Sequence, residues 1–263
     1  MSNSYLVDSH CHLHDPEFFS PDLAETMLKN ATENGVQQVI CIGTSARDSK
    51  TAQTFAESHA NVFWTYGIHP EEAGRDEDNA TSRREKSLVA IGEIGLDYHY
   101  PNYNKPVQIK LLEKMLSLAT DLNLPVSLHV RDAFPDIFGV LNNFPNLKGV
   151  FHSFSDSEEN LKEILRRDFY IGINGLATFA NLPCYKNLEQ TVPLERILLE
   201  TDAPFLTPVP KRGIINEPAY IKYIAEWLST KLGTSLETVT EKTTENVRNL
   251  FCLPNPNRPE KGL

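Results

Sequence analysis

Eight short apolar segments recur along the chain, and more polar segments with helical periodicity separate them. The apolar segments are rich in Val, Ile and Phe, as expected for strands that are buried on both faces of a parallel sheet. They cover residues 5–11, 36–44, 62–70, 88–97, 126–132, 148–154, 169–175 and 196–202. The pattern predicts eight parallel strands, each followed by a crossover of about 15–30 residues.

The intervening segments carry the sequence signals of helix ends. Pro21 and Asp22 open the first predicted helix, and Gly35 marks its end. Two capping boxes, in which a Ser or Thr is followed three residues later by Glu, are predicted at Ser155–Glu158 and Thr234–Glu237. Strands and helices therefore alternate along the chain.

Eight strands that alternate with helices predict the α/β fold of the (β/α)8 or TIM-barrel type. A length of 263 residues is typical of one such barrel, and no change of composition marks a linker. We therefore expect one domain over residues 1–263. Its last residues, 254–263, are rich in Pro and charge and are expected to form a loose tail.

Polar residues suited to catalysis or metal binding stand where the predicted strands end. The carboxyl ends of barrel strands meet at one rim, which is where barrel enzymes place their active sites. Histidines that only served the core would not all choose the same end of a strand, so the set indicates a functional site. From the first strand to the last, these residues are His10, Cys11, His12, His69, Glu93, Asp97, His129, Arg131, His152, Glu200 and Asp202.

The stretch from His10 to His12 predicts a metal site. Side chains alternate along a strand, so His10 and His12 share the inner face while Cys11 points toward the helices. Imidazole suits zinc, iron or nickel, whereas carboxylate suits magnesium or manganese, and a mixed set leaves the metal open. His14 lies past the strand end and is expected in a loop. Asp8, one layer deeper, is expected to support a ligand histidine.

The candidates suffice for two divalent metal ions (Mg, Mn or Zn) if one carboxylate bridges them. Glu93 is the natural bridge, because it lies at the centre of the rim between the first strand and the fifth and sixth. Asp202 could bind the first ion and also accept a proton as general base. Two neighbouring ions can activate water and stabilise the oxygens of a displacement. The predicted ligands are His10, His12, Glu93, His129, His152 and Asp202.

Composition limits the partners and the compartment. The net charge of −10, from 25 Lys and Arg against 35 Asp and Glu, argues against a broad basic surface but allows a small, locally positive site. Four cysteines without a CxxC pair indicate reduced, buried thiols. The N-terminus lacks a basic patch before an apolar stretch, and no apolar run could span a membrane. We expect a cytoplasmic protein with no membrane association and no obligate protein partner.

Together these motifs resemble the TatD family of metal-dependent deoxyribonucleases, which belongs to the wider group of amidohydrolase-like barrels. The resemblance extends from residue 7 to about residue 250, and the motifs occur in the family order. The HxH motif alone is weak evidence, but in register with GEIGLDY and ETDAP it is specific. The matching segments are DSHCHL (8–13), GIHP (67–70), GEIGLDY (92–98), PVSLHVRDA (125–133), HSFSDS (152–157), LLETDAPFLTP (198–208) and NEPAYI (216–221).

The resemblance implies a hydrolase that uses divalent metal to cut phosphodiester bonds of DNA, typically from a strand end. It implies the same six ligands that the rim pattern predicts. It also implies that His69 and Arg131 face the substrate phosphate. Glu93 occupies the place where many amidohydrolase barrels carry a modified lysine, which separates this chain from the dihydroorotase type.

The chain departs from the family pattern in the loop before NEP. The family usually has a basic run there, whereas this chain has Lys211-Arg212-Gly213-Ile214-Ile215, so that two basic positions are apolar. Arg212 is a candidate for binding phosphate, although the loop could equally serve only to pack against the barrel. The change reduces the expected affinity for long DNA more than it alters the expected chemistry.

Three functions are compatible with these residues. The first is a deoxyribonuclease that acts on single-stranded ends of DNA, which Arg131 and Arg212 favour because Arg suits phosphate. The second is a hydrolase of an amide or ester, such as an aminoacyl ester, which the acidic charge and Ile214-Ile215 favour slightly. The third is a barrel with a structural metal, which is weakest because six ligands over two ions leave an open position for water.

Overall fold

The computed structural model describes residues 4–75 and 84–256, and in these ranges eight parallel strands pair in sequential order. Beyond the last strand, Asp202 N–H donates to the His10 carbonyl and His12 N–H donates to the Ala203 carbonyl, each at 2.8 Å. These bonds join the last strand to the first, so the predicted (β/α)8 barrel is confirmed. The strands are β1 (Leu6–Cys11), β2 (Val36–Cys41), β3 (Val62–Tyr66), β4 (Leu88–Asp97), β5 (Val126–Arg131), β6 (Gly149–Phe151), β7 (Tyr170–Ile173) and β8 (Ile197–Leu199).

Helices connect most successive strands on the outside of the barrel, and two further helices follow the last strand. The first begins at Pro21, as predicted, with the Ser20 side chain accepting from Leu23 N–H. None of the helices in the described ranges has the length and apolar character that a bilayer crossing requires. The helices are α1 (Pro21–Glu33), α2 (Ala46–Glu57), α3 (Lys105–Leu122), α4 (Phe134–Leu141), α5 (Glu158–Arg166), α6 (Leu188–Thr191), α7 (Ile221–Leu232) and α8 (Leu236–Phe251).

Both predicted capping boxes are wrong in position. The N-cap of α5 is Ser157, whose Oγ accepts from Asn160 N–H at 3.2 Å, rather than Ser155. The N-cap of α8 is Ser235 rather than Thr234. Thr234 is engaged in ending α7, because its N–H donates to the Ser229 carbonyl after the left-handed Gly233. A residue that closes one helix in this way does not open the next.

The hydrophobic core has two parts. The larger cluster joins the outer faces of the strands to the helices, and Cys11 lies in it beside residues of α1, as its predicted outward direction requires. The smaller cluster includes residues of β2 and β3 and is covered by α8, with Val247 and Phe251 buried against it. Cys11, Cys41 and Cys184 are buried free thiols, but Cys252 is exposed, contrary to the prediction for all four.

Several predicted strands are longer than the observed ones, and this difference affects the candidate site. β3, β6 and β8 end before His69, His152 and Asp202, so these residues begin the loops at the rim. Their backbones remain bonded to neighbouring segments, because the N–H groups of His69, His152 and Asp202 donate to the carbonyls of Thr44, Leu128 and His10. Of the predicted tail over 254–263, residues 257–263 lie outside the described residues.

Candidate metal centre

Histidine and carboxylate side chains that lie in or after six different strands converge at the carboxyl rim of the barrel. Each of three groups offers ligand atoms that lie within 4.8 Å of one another, and neighbouring groups share His10 or Glu93. All six predicted ligands are among them, together with His69. The groups are His10, His12 and Asp202; His10, Glu93 and His152; and His69, Glu93 and His129.

Glu93 lies at the centre of the cluster and directs its two carboxylate oxygens to different sides. Oε2 is 3.5 Å from His10 Nε2. Oε1 is 3.0 Å from His129 Nδ1 and 2.9 Å from His152 Nε2. The Glu93 side chain is buried, so solvent does not compete for either oxygen. One carboxylate thus faces two separate sets of imidazole nitrogens.

On the first side, His10, His12 and Asp202 form a compact set. Asp202 Oδ1 is 3.5 Å from both His10 Nε2 and His12 Nε2. Ligands held about 2.1 Å from one ion at tetrahedral angles lie about 3.4 Å apart, so this spacing fits a common metal ion. On the second side, His129 Nδ1 and His152 Nε2 are 3.3 Å apart, which fits equally well.

The buried imidazole of His10 also indicates that a ligand belongs in the site. Neither of its ring nitrogens has a hydrogen-bond partner among the described residues, although the residue is 1% exposed. A buried polar group without a partner is costly, and a divalent ion facing Nε2 would satisfy it. Mixed imidazole nitrogen and carboxylate oxygen donors suit divalent ions of intermediate hardness. The residues present therefore fit a metal centre.

Hydrogen bonds behind two histidines set which ring nitrogen faces the site. His12 Nδ1 lies 3.2 Å from the Ile42 carbonyl oxygen, and His129 Nε2 lies 2.9 Å from Asp97 Oδ2. Both partners accept, so these nitrogens carry the protons and the lone pairs of His12 Nε2 and His129 Nδ1 face the site. This is the orientation that metal-ligating histidines usually receive from a neighbouring carbonyl or carboxylate.

His152 has a second carboxylate behind it, although its Nδ1 makes no hydrogen bond within the described residues. Its Nδ1 is 3.7 Å from Glu200 Oε1, while Nε2 faces Glu93. Glu200 is fully buried, and its Oε1 accepts from Ser153 N–H at 2.6 Å and from Asn174 Nδ2 at 3.3 Å. Glu200 is therefore held in place behind the imidazole.

The electrostatics keep the central carboxylates ionised. Burial alone would favour the neutral acid of Glu93, but His152, His10 and His129 outweigh it and hold the pKa of Glu93 well below its usual value. Burial likewise opposes ionisation of Asp202, and contacts with His12 and other imidazoles lower its pKa. Both carboxylates are available as anionic ligands, and a cation between them would be strongly attracted.

His69 reaches the same cluster with a different hydrogen-bonding role. Its Nε2 is 3.7 Å from Glu93 Oε1, while its Nδ1 accepts from Glu71 N–H at 3.3 Å. Because Nδ1 accepts, the ring proton is on Nε2, which therefore faces the site as a donor. Burial lowers the pKa of His69 to about 4, so the ring is neutral. The geometry is that of a hydrogen-bond donor at the site.

Two glycines in the motifs allow the strands to come close at the site. A Cβ at Gly67 would lie 2.2 Å from Glu93 N, and a Cβ at Gly95 would lie 1.8 Å from the His129 carbonyl oxygen. Larger residues would push β3 and β5 away from Glu93. The glycines of GIHP and GEIG therefore serve the spacing of the cluster.

The two candidate arginines have different positions. Arg131 and His152 line the same cavity of about 350 Å³, which places this exposed guanidinium beside the second set of ligands. Arg212 is exposed in the loop after β8, where its guanidinium carbon lies 3.8 Å from the centroid of the Phe179 ring. Its Nη1 donates to the Thr207 carbonyl at 2.8 Å. The structure brings Arg131, but not Arg212, to a cavity shared with a predicted ligand.

The expected support of a ligand histidine by Asp8 is wrong in detail. Asp8 Oδ1 accepts from the backbone N–H groups of Thr201 at 2.9 Å and His10 at 3.3 Å, and no imidazole of the described residues bonds to it. Asp8 therefore ties the first strand to the segment before Asp202. His14 lies in a loop, as expected, and its Nε2 bonds to Asp48 Oδ1 at 3.0 Å, away from the ligand groups.

The supporting groups are the part of the site that the sequence pattern did not assign. Asp97 and Glu200 stand at predicted strand ends, but nothing in the spacing shows that they lie behind His129 and His152. The Ile42 carbonyl behind His12 leaves no sequence signal at all, because any residue provides a carbonyl. For the carboxylates, a usable signal was their presence at the same rim as the histidines.

Comparisons with known proteins identify the family of the chain and agree with the fold. A family model described as TatD related DNase matches residues 7–252. The uncharacterized metal-dependent hydrolase YabD of Bacillus subtilis (strain 168) is 35% identical over 254 residues, covering 94% of this chain and 98% of that protein. The 3'-5' ssDNA/RNA exonuclease TatD of Erwinia amylovora is 34% identical over 243 residues, which cover 87% of this chain and 93% of that protein.

A solved structure agrees over almost the full length. The crystal structure of YJJV, a TatD homologue from Escherichia coli K12, has a TM-score of 0.87 and 27% sequence identity. The similarity covers 96% of this chain and 100% of that one. The more distant phosphotriesterase homology protein from Escherichia coli, at 14% identity and a TM-score of 0.68, shares the fold.

Proposed function

The chain belongs to the family of TatD-related DNases, which makes it a metal-dependent hydrolase, and we propose that it cuts phosphodiester bonds at single-stranded ends of DNA. The observation that carries this proposal is the division of Glu93 between two sets of imidazoles, with Oε2 toward His10 and Oε1 toward His129 and His152. A carboxylate between two ligand sets is the arrangement of a two-metal hydrolase.

The proposal assigns the ligands to two divalent ions. When bound, such ions lower the pKa of water and stabilise the attacking and leaving oxygens of a displacement. Magnesium, manganese and zinc are all compatible with the donor set. His10, His12, Glu93 and Asp202 would hold the first ion, and Glu93, His129 and His152 the second.

Asp202 is the proposed general base. Its backbone follows a turn with a φ of 58°, a left-handed conformation that Asp adopts more readily than most residues, and its N–H is fixed to the His10 carbonyl. With its pKa lowered by the histidines, the carboxylate is ionised and can accept the proton of the attacking water. Its buried position keeps bulk water from competing.

His69 and Arg131 are the proposed contacts to the substrate phosphate. The neutral His69 ring presents Nε2–H toward the site and can donate to a phosphate oxygen. Arg131 has no carboxylate bonded to it among the described residues and lines the cavity beside His152, so its guanidinium is available. Arg212, fixed over the Phe179 ring, would contact a phosphate farther along the strand. The named exonuclease relative supports the same substrate class.

A second function on the same barrel is the hydrolysis of an amide or ester such as an aminoacyl ester. The observation that favours it is the exposed apolar pair Ile214 and Ile215, at 52% and 53% exposure in the loop near the rim. The test is a comparison of a single-stranded oligonucleotide with an aminoacyl ester, each with protein loaded with Mg, Mn or Zn and each with EDTA. Turnover of the oligonucleotide that EDTA abolishes supports the proposal, whereas turnover of the ester alone refutes it.

The ligand assignment has its own measurement, which is metal content per chain. Glu93→Gln should weaken binding of both ions because its side chain faces both sets, whereas His152→Ala should mainly empty the second. Metal analysis and calorimetric titration of the two variants give the stoichiometry. Retention of two ions at full affinity by Glu93→Gln would show that Glu93 is not a bridge.

A further inference from the structure

Exposed aromatic side chains of the described residues are concentrated at the rim that carries the ligands. Five Phe and Tyr side chains are at least 40% exposed, and all of them lie in loops that follow β1, β4, β7 and β8. They are Phe18, Tyr100, Tyr103, Phe179 and Phe205. Tyr100, Tyr103 and Phe179 have partners within the protein, in Arg131, Tyr98 and Arg212, which leaves Phe18 and Phe205 to be explained.

Phe205 and Phe18 form the pair nearest the ligands. Their ring centroids are 5.3 Å apart at an interplanar angle of 79°, and the rings are 47% and 42% exposed. The Phe205 ring lies 6.2 Å from the imidazole of His12, whose Nε2 faces Asp202. The aromatic pair therefore lies beside an imidazole that belongs to the first set of ligands.

The backbone holds Phe205 in a fixed relation to Asp202. Phe205 N–H donates to the Asp202 carbonyl at 2.8 Å, which forms a tight turn. The fully buried Asn216 binds both sides of this turn, donating from Nδ2 to the Phe205 carbonyl at 2.6 Å and to the Thr201 carbonyl at 2.8 Å. An aromatic ring anchored in this way is prepared for binding before the substrate arrives.

We propose that Phe205, with Phe18 against its edge, is a stacking surface for the nucleobase adjacent to the bond that is cut. The proposal rests on the proposed nuclease function. A base is separated from its phosphate by one sugar ring, so a phosphate held at the ligands leaves its base near Phe205. Every base has a flat π-face, and stacking on an aromatic ring tolerates any sequence.

The charge of the protein favours a binding contribution that does not depend on charge. At a net charge of −10 the chain has no excess of basic residues to hold a polyanion by a broad basic surface, and Arg131, Arg212 and Lys211 are the basic residues proposed to attract the substrate. Stacking needs no net charge. A protein partner on the same aromatic pair would cover the mouth of the site, which argues against a permanent interface there.

The test uses two oligonucleotides that differ only in the terminal nucleotide, which carries a base or is abasic. Wild-type protein should prefer the substrate with the base by roughly 5- to 150-fold in kcat/KM, the range for one base on one aromatic ring. Phe205→Ala should lose most of this preference, by a change in KM, and Phe205→Tyr should retain it. Leu236→Ala, which removes a similarly exposed apolar side chain at the start of α8, is the matched control.

A second readout does not depend on turnover. Terminal 2-aminopurine loses fluorescence when it stacks, so binding to metal-loaded Asp202→Asn protein should quench it, and adding Phe205→Ala should remove the quenching. An equal base preference in the wild type and Phe205→Ala overturns the stacking proposal while leaving the nuclease proposal intact. A change of solution mass in Phe205→Ala with unchanged base preference also overturns it, in favour of a protein interface. Wild-type protein that cuts neither oligonucleotide refutes the nuclease function itself.

Discussion

At the residue scale, the carboxylate behind His129 tests whether the imidazole is a metal ligand. Burial opposes ionisation of Asp97, but its bond to His129 lowers the pKa, so the carboxylate accepts from Nε2–H and raises the basicity of Nδ1. Asp97→Asn should weaken metal binding by about 10–100-fold, the usual effect of such supporting groups. Calorimetric titration with the metal measures the affinity.

Asp132→Asn is the matched control for this prediction, because Asp132 makes the same kind of bond, at 3.1 Å, to the exposed His99. That variant should bind metal like the wild type. If the affinities of the two variants are equal, the bond between Asp97 and His129 does not support a metal ligand.

The role of Asp202 makes a second prediction at this scale. Asp202→Asn keeps the size of the side chain and one oxygen but removes the proton acceptor. Turnover should fall by about 10²–10⁴-fold, as for the loss of a general base. Because an amide is also a weaker ligand, metal occupancy must be measured beside the rate. A fully occupied variant that retains wild-type turnover would eliminate the proposed role.

The sequence predicted which residues converge, but not how each one is oriented. The rim rule places strand-end residues together, and the six predicted ligands do lie together in the structure. Tautomers depend on what lies behind each ring, and those partners come from elsewhere in the barrel: Ile42, just after β2, for His12 and Asp97, at the end of β4, for His129. Asp8 is buried, but its oxygens accept from the backbone N–H groups of Thr201 and His10 and from the Thr201 hydroxyl, at the closure between β1 and β8.

At the element scale, the N-cap of α5 gives a test of stability. Ser157 Oγ accepts a hydrogen bond from Asn160 N–H. The two acidic residues that follow in the first turn interact favourably with the positive end of the helix dipole. Ser157→Ala should lower the free energy of unfolding by about 0.5–2 kcal/mol. Urea denaturation followed by circular dichroism measures the change. Ser155→Ala, at the position that the sequence pattern favoured, should have a smaller effect, and the reverse order would restore the predicted cap.

Elements were easier to predict than their ends. Eight apolar runs predicted eight strands, because strands buried on both faces must be apolar. The same runs extended beyond β3, β6 and β8, because buried apolar residues such as Ile68 and Ala203 continue the pattern into the loops. Helix starts shifted by one or two residues where several Ser and Thr residues compete, and tertiary contacts such as those of Thr234 decide between them.

At the scale of the whole molecule, the acidic charge opposes an acidic substrate. The proposed attraction is confined to the metal ions, Arg131, Arg212 and Lys211, so only a few phosphates near a strand end should be neutralised. Few neutralised phosphates release few counterions. For single strands, each neutralised phosphate contributes roughly −0.7 to the slope of log K against log salt concentration. We therefore expect a slope of about −1 to −3 and a preference for single-stranded ends over intact duplex.

Salt titration of a short oligonucleotide against metal-loaded protein measures this slope directly. Arg212→Ala should raise KM for DNA with a smaller effect on kcat, because a contact made equally in the ground state and the transition state contributes mainly to binding. Linear and closed circular single strands of the same sequence provide the control for end dependence. A steep slope, or equal cutting of the circular and the linear single strand, would mean that the protein binds internal sites and does not trim from ends.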